Sequence, residues 1–532
     1  MNFVSTTFFF FLIIVFITFF VSPKKYQWVV LLISSYTFYL FSGFKTTFFL
    51  IITTIIVYLC GIFIERENKS YSEKIKLSSD SLDNQSKRKI KEDSKRQKKN
   101  ILTIGLLIIF GILTVVKYFN FFSGNINNLF EYFSVGYNLP FLDILLPLGI
   151  SFYTFQSAGY LIDVYRGKIQ ADKNIAKFAL FVSFFPQLVQ GPISRHSELA
   201  HQLFMEHDFD YQRVKFGGQL MLWGLFKKLV IADRAGILVN NVFSNYENFE
   251  GLTILITVMI YGVQIYCDFS GGIDVARGIA QVFGIELTLN FARPFFATSL
   301  SNFWRRWHIT LGSWVRDYVF YPLTLSKTFT QLGRYSRRKL GNNLGKMVPT
   351  LTAMIIIFLI IGVWHGPQWK YVFYGLYNGI IISIAISVAP FFTKIKNKFN
   401  VRTETFSWRL FQIIGTFFLV TGGRYFTRSH DFMASVDMIK QTLKSFNPWI
   451  FFDGTLYNLG LDISNFHLLM ILIVLLLGVD LFQEMGYQIR VKISQQNIIF
   501  RWVIYLLAIF SIIIFGIYGI GYDAASFIYM GF

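Results

Sequence analysis

Two histidines set in aromatic, apolar sequence are the residues best suited to do chemistry in this chain. His308 lies in FWRRWHITLGSWVRDYVFYPL (303–323) and His365 in GVWHGPQWK (362–370). An imidazole accepts and returns a proton near neutral pH. Ionisable groups amid lipid-soluble sequence are costly and mark functional positions. Trp304 precedes His308 by one helical turn and Trp364 adjoins His365. Arg305, Arg306 and Arg316 carry guanidinium forks suited to the phosphates of a coenzyme or acidic carrier; contact with lipid phosphates is an equally good use for any one of them. Asp317, beside Arg316, reads as half of a structural ion pair. Asp268 and Ser270, in YCDFSGGID (266–274), are polar enough to line a cavity and equally suited to capping a helix.

Other chemistries find less support. His196, His201 and His207 with Glu198 and Glu206 resemble a metal-binding set at first sight, but spacings of five and six do not stack ligands on one helical face; no metal site is expected. The chain has no GxSxG elbow, no phosphate-binding P-loop and no dinucleotide glycine fingerprint. Cys60 and Cys267 are too far apart to suggest a disulfide framework or a CxxC site.

The elements that position the histidines follow from periodicity and charge. At about 100° per residue, Trp304, Trp307, Leu311, Trp314, Val315 and Tyr318 share one arc. Arg305, His308, Gly312 and Arg316 share the other, with Arg306 and Asp317 farther round. This predicts one amphipathic helix in the headgroup layer with its charged arc toward water. For His308 three roles stay open: a hydrogen bond to a substrate, orientation of another polar group, or anchoring of that helix. His365 falls where two apolar runs meet between basic segments 327–346 and 394–409, which predicts a hairpin with a break near Pro367.

On the scale of the chain, 54% of the 532 residues are apolar and 19% aromatic, the composition of an all-α polytopic membrane protein. Some ten to twelve runs, such as FFFFLIIVFITFFV (8–21), approach the ~20 residues that cross a bilayer. The first lacks a basic leader and a cleavage site, so it reads as a retained span. The formal charge of +20 sits between the apolar runs, which argues for topology rather than nucleic acid. About a dozen Lys and Arg in 65–100 predict a cytoplasmic loop, and residues 118–143, without Lys or Arg, fall outside. The expected organisation is one membrane domain over 1–532: three spans in 1–64, the basic loop 65–100, a core 101–423, an extracytoplasmic loop 424–464 and C-terminal spans in 465–532. Both termini then face away from the cytosol. Interrupted apolar stretches between about 175 and 300 predict broken or re-entrant helices around a cavity.

These motifs resemble a known family. YCDFSGGIDVARGIAQVFGI (266–285), NFARPFFATSLSNFWRRWHITLGSWVRDYVFYPL (290–323) and GVWHGPQWKYVFYGLYNG (362–379), supported by 146–168 and 181–195, are similar to the membrane-bound O-acyltransferases, in particular the bacterial branch of alginate O-acetyltransferase. One departure is Gly272, where many relatives have an aromatic. The resemblance implies a ring of tilted transmembrane and re-entrant helices around a central tunnel, with His365 catalytic and His308 the second associated position. It also implies no bound cofactor and an acyl-CoA or acyl-carrier thioester as donor. The acceptor would be an extracytoplasmic polysaccharide or cell-wall polymer, reached with a secreted or membrane-tethered SGNH-hydrolase-like partner at the plasma membrane. D-alanyl transfer to teichoic acid is a branch alternative, and a transporter or flippase without covalent chemistry is the rival from another class.

Overall fold

The computed structural model describes residues 3–77 and 83–518. It contains helices throughout and, among the described residues, no β-strand beyond an isolated bridge between Phe291 and Trp307. Among the described residues, seven helices are long and apolar enough to cross a membrane: Phe44–Lys76, Asn84–Tyr132, Leu252–Val282, Val348–His365, Trp369–Lys398, Ile463–Glu484 and Ile498–Phe515. Other apolar runs form shorter helices. Thr6–Val21 has 16 residues and Gln27–Leu40 has 14, so at 1.5 Å per residue each falls short of a ~30 Å hydrocarbon layer.

The chain divides into two compact units. The first comprises Met1–Gly217 and Ala276–Thr288. Its core helix, Ile150–Tyr165, is rich in apolar and aromatic residues and buries 14 of its 16 residues, as expected of a helix surrounded by neighbours rather than lying on a surface. The helices Phe44–Leu77 and Asn84–Tyr132 pack against it and each other. The basic segment 65–100, expected as a loop, is helical on both sides: one helix continues to Leu77 and the next starts at Asn84, capped by the Asp83 carboxylate. Lys, Glu and Gln favour helix, so both apolar helices continue into the basic segment. Farther along, the expected broken helices are present as Ile175–Ser183, Phe185–Leu188 and His196–Phe204.

The second unit comprises Gly218–Val275 and Leu289–Phe532. The interruption expected before residue 300 is absent from Leu252–Val282, a continuous helix of 31 residues that belongs to this unit as far as Val275. Asp268 and Asp274 on it are reconciled with an apolar setting by two lysines from a π-helical turn, Phe226–Ala232. The extra residue in that turn directs both Lys227 and Lys228 inward. Lys227 Nζ donates to Ser270 Oγ (2.8 Å) and Asp274 (2.7 Å), and Lys228 Nζ to Asp233 (2.8 Å) and Asp268 (2.7 Å).

Val348–His365 and Trp369–Lys398 form the predicted hairpin. The break falls at Gly366–Gln368, beside Pro367. Gly362 and Gly375 let the two backbones approach: a Cβ on Gly362 would stand 3.0 Å from the Cα of Gly375. Small residues at such crossings are how helices pack closely in lipid. The segment 424–464 is mostly ordered structure, with Phe406–Arg428 running into it and Phe432–Lys444 a separate amphipathic helix.

Candidate active site

His365 is the last residue of its helix, and the turn that follows fixes what surrounds it. A Cβ at Gly366 would stand 2.6 Å from the Tyr371 ring; with hydrogen there, Tyr371 folds back and stacks on His365 at 6.2 Å between ring centres. Tyr374, one turn later, meets the imidazole edge-to-face at 5.5 Å, and Trp364 does so at 5.1 Å. His365 is 7% exposed and borders a cleft with about 30 Å³ of free space. Trp304, Trp307, Tyr261, Tyr371, Tyr374 and Arg424 also face that cleft. The space admits about two waters, so a larger group enters only if aromatic side chains move.

The predicted amphipathic helix around His308 is not continuous. It divides into Leu300–Trp304, Ile309–Val315, a π turn Arg316–Phe320 and Tyr321–Thr324. The cause is residue 308, whose backbone is left-handed (φ 48°, ψ 53°), a conformation that costs a non-glycine residue about 1–2 kcal/mol. Antiparallel pairing offsets this. The Ala292 N–H donates to the Arg306 carbonyl (2.9 Å) and the Ile309 N–H to the Asn290 carbonyl (3.0 Å). Arg305, Gly312 and Arg316 are exposed as the helical arc predicted, but the reversal at 308 carries His308 inward to 2% exposure.

Buried there, His308 packs edge-to-face on Phe269 (4.9 Å) and Trp364 (5.6 Å). Its Nδ1 stands 3.3 Å from Asn290 Oδ1, which already accepts from the N–H and hydroxyl of Thr310, both at 2.9 Å. An atom that accepts two donors is the amide oxygen, so Nδ1 carries the proton and Nε2 the lone pair. Residue 308 lies outside the seven long spans; burial, reinforced by nearby His365, lowers its imidazole to about 3, which keeps the ring neutral. His308 borders Trp364, and Trp364 borders His365, so the two histidines form one aromatic-spaced group.

The remaining sequence-predicted residues separate. Arg306 forms a two-pronged ion pair with Glu484 (2.9 and 3.0 Å), and Arg293 and Arg409 reach the same carboxylate. This is a structural clasp, not an open anion site. Arg316 pairs with Asp317 at 2.8 Å, as their adjacency suggested. Arg305 is exposed. Asp268 and Ser270 belong to the lysine network, away from the cleft lining. In the first unit His196 bonds to Asp172 (2.7 Å) and His207 to the Gln202 carbonyl (2.8 Å), so these rings do not converge.

Sequence reasoning missed Asn290, the two hairpin tyrosines and Arg424. A signal existed for the last: Arg424 is a lone cation in FFLVTGGRYF (417–426), and such a residue is by default a functional one.

These features define an all-α polytopic membrane protein with a buried imidazole at the turn of a helical hairpin. Residues 168–336 match the family described as MBOAT, membrane-bound O-acyltransferase. The match includes His308 and ends before His365. The chain is 33% identical over 350 residues to the probable alginate O-acetylase AlgI of Pseudomonas syringae pv. tomato, covering 65% of this chain and 61% of that protein. It is 33% identical over 309 residues to the peptidoglycan O-acetyltransferase of Helicobacter pylori (53% and 54%). To the teichoic acid D-alanyltransferase of Bacillus subtilis it is 26% identical over 286 residues (52% and 67%). The chain thus spans between half and two thirds of the length of these curated relatives.

Proposed function

We propose that this protein is a membrane O-acyltransferase. It moves an acyl group, acetyl in the first instance, from a cytoplasmic thioester, either acyl-CoA or an acyl carrier, to hydroxyls of an extracytoplasmic polysaccharide or cell-wall polymer. The observation that carries the reading is His365 at the hairpin turn, bordering an enclosed cleft walled by aromatic rings. A buried imidazole beside a small cavity suits general-base removal of a hydroxyl proton. The likeness to proteins named as alginate and peptidoglycan O-acetyl transferring enzymes supports acetyl as the group; likeness to teichoic acid D-alanyltransferases keeps D-alanine as the second reading. In the working arrangement the protein spans the plasma membrane with 65–100 in the cytosol and both termini outside. A secreted or membrane-tethered SGNH-hydrolase-like partner completes delivery to the polymer.

The test is reconstitution in liposomes with acetyl-CoA labelled in the acetyl group and a panel of alginate oligosaccharides, peptidoglycan fragments and teichoic acid. Acceptor-stimulated release of CoA that disappears in His365→Ala supports the enzyme. Movement of a substrate without thioester cleavage would establish a transporter instead.

A further inference from the structure

The cleft beside His365 contains a cation with no counter-charge among the described residues. Arg424 is 5% exposed, and neither Nη1 nor Nη2 has a hydrogen-bond partner among the described residues. Two rings flank it: the guanidinium lies 5.6 Å from the centres of Phe295 and of Phe417. It occupies the space left by the missing side chain of Gly262, where a Cβ would collide with it. A guanidinium stays protonated, and an uncompensated buried charge is among the most destabilising features a fold can retain.

A second observation points the same way. The indole Nε1 of Trp304, on the same cleft, is also buried without an acceptor among the described residues. Two groups that can only donate therefore border the space next to His365, and neither the Arg424 Nη atoms nor the Trp304 Nε1 has a hydrogen-bond partner among the described residues. His308 cannot share this work in its neutral form, because its proton is on Nδ1 and faces Asn290.

We propose that Arg424, with the Trp304 N–H, is the oxyanion-binding side of this cleft, opposite His365 as base. The inference rests on the O-acyl transfer reading above. In the step it serves, His365 takes the proton of the acceptor hydroxyl while that oxygen bonds to the thioester carbonyl carbon. The C=O electron pair moves onto the carbonyl oxygen, which becomes the anion held by Arg424 and Trp304. When the C=O re-forms, the C–S bond breaks, and the leaving thiolate takes the proton back from the imidazolium. Donors held in place in a dry site act only once that negative charge develops, and losing one typically lowers kcat 10²- to 10³-fold.

Arg424→Met and Arg424→Gln, each close to the original in length and uncharged, test this in the liposome assay with acetyl-CoA and the responding acceptor. Both are expected to fold with a Tm at or above that of the unsubstituted protein, since each removes an unpaired buried charge. Their kcat should fall about 10²- to 10³-fold, with KM within about threefold. Trp304→Phe should lower kcat in the same direction by a smaller factor. If a folded Arg424 variant turns over within tenfold of the original, or if both variants fail to fold, Arg424 is structural and the proposal is overturned. If the unsubstituted protein releases no CoA in a His365-dependent manner, the transferase reading itself fails and takes this inference with it. Normal turnover with an inert Arg424 removes only the inference.

Discussion

At the residue scale the two imidazoles of the candidate site have different surroundings. His365 borders the cleft, whereas His308 is fixed one ring away by Asn290 and reached through Trp364. Replacing His365 by Ala should therefore lower turnover by about 10²- to 10⁴-fold, the usual worth of a general base, without loss of folded protein; near-normal CoA release would dismiss it as base. Asn290→Ala should act on the other histidine. It removes the side-chain acceptor shared by His308 and Thr310 and leaves only the backbone pairing at 290 and 292 to hold the left-handed turn, so Tm and kcat should fall together. A variant with unchanged turnover would show that the tautomer of His308 does not matter. Arg306→Ala is expected to act on stability through Glu484 and to leave KM for the thioester unchanged.

At the scale of elements, the hairpin and the π turn are the two devices that let polar groups live inside an apolar unit. Gly366→Ala brings a methyl against the Tyr371 ring and should displace the stacked wall of the cleft, lowering kcat while the helices themselves persist by circular dichroism. In the π turn, Lys228 holds two buried carboxylates, those of Asp233 and Asp268. Lys228→Met strands both, and removing one member of such a buried group costs about 3–5 kcal/mol. The triple change Lys228→Met, Asp233→Asn, Asp268→Asn should recover part of that loss. Thermal unfolding in detergent would measure the coupling; a single variant as stable as the triple would mean the network contributes nothing.

At the scale of the whole molecule, orientation in the membrane is expected to follow from where the cations are. Basic segments remain on the cytoplasmic side, so Gln85→Cys should react with an impermeant maleimide only after the cell membrane is opened. Tyr137→Cys, in the segment free of Lys and Arg, should react in intact cells. Cys60 and Cys267 are both buried, so background labelling should be low. Reaction of Gln85→Cys in intact cells would reverse the topology and place the thioester on the wrong side of the membrane.

Much of this was legible in the chain itself. Apolar run length fixes that the protein is helical and crosses a membrane, because backbone groups in lipid must be satisfied within each helix. The meeting of two such runs at VWHGPQWK places His365 at a turn, and residue adjacency foretells the Arg316–Asp317 pair. What periodicity could not reveal depends on contacts distant in sequence. The inward turn of His308 requires pairing with 290–293, and the engagement of Arg306 requires Glu484, 178 residues away. The pairing of Asp268 with a lysine depends on one extra residue in a helical turn 40 positions earlier. Arg424 stands out in the sequence as a lone cation, but that its Nη atoms lack a hydrogen-bond partner among the described residues emerges only from the packed structure. Local pattern decides which faces are buried; only the packed structure decides which buried polar groups meet a partner.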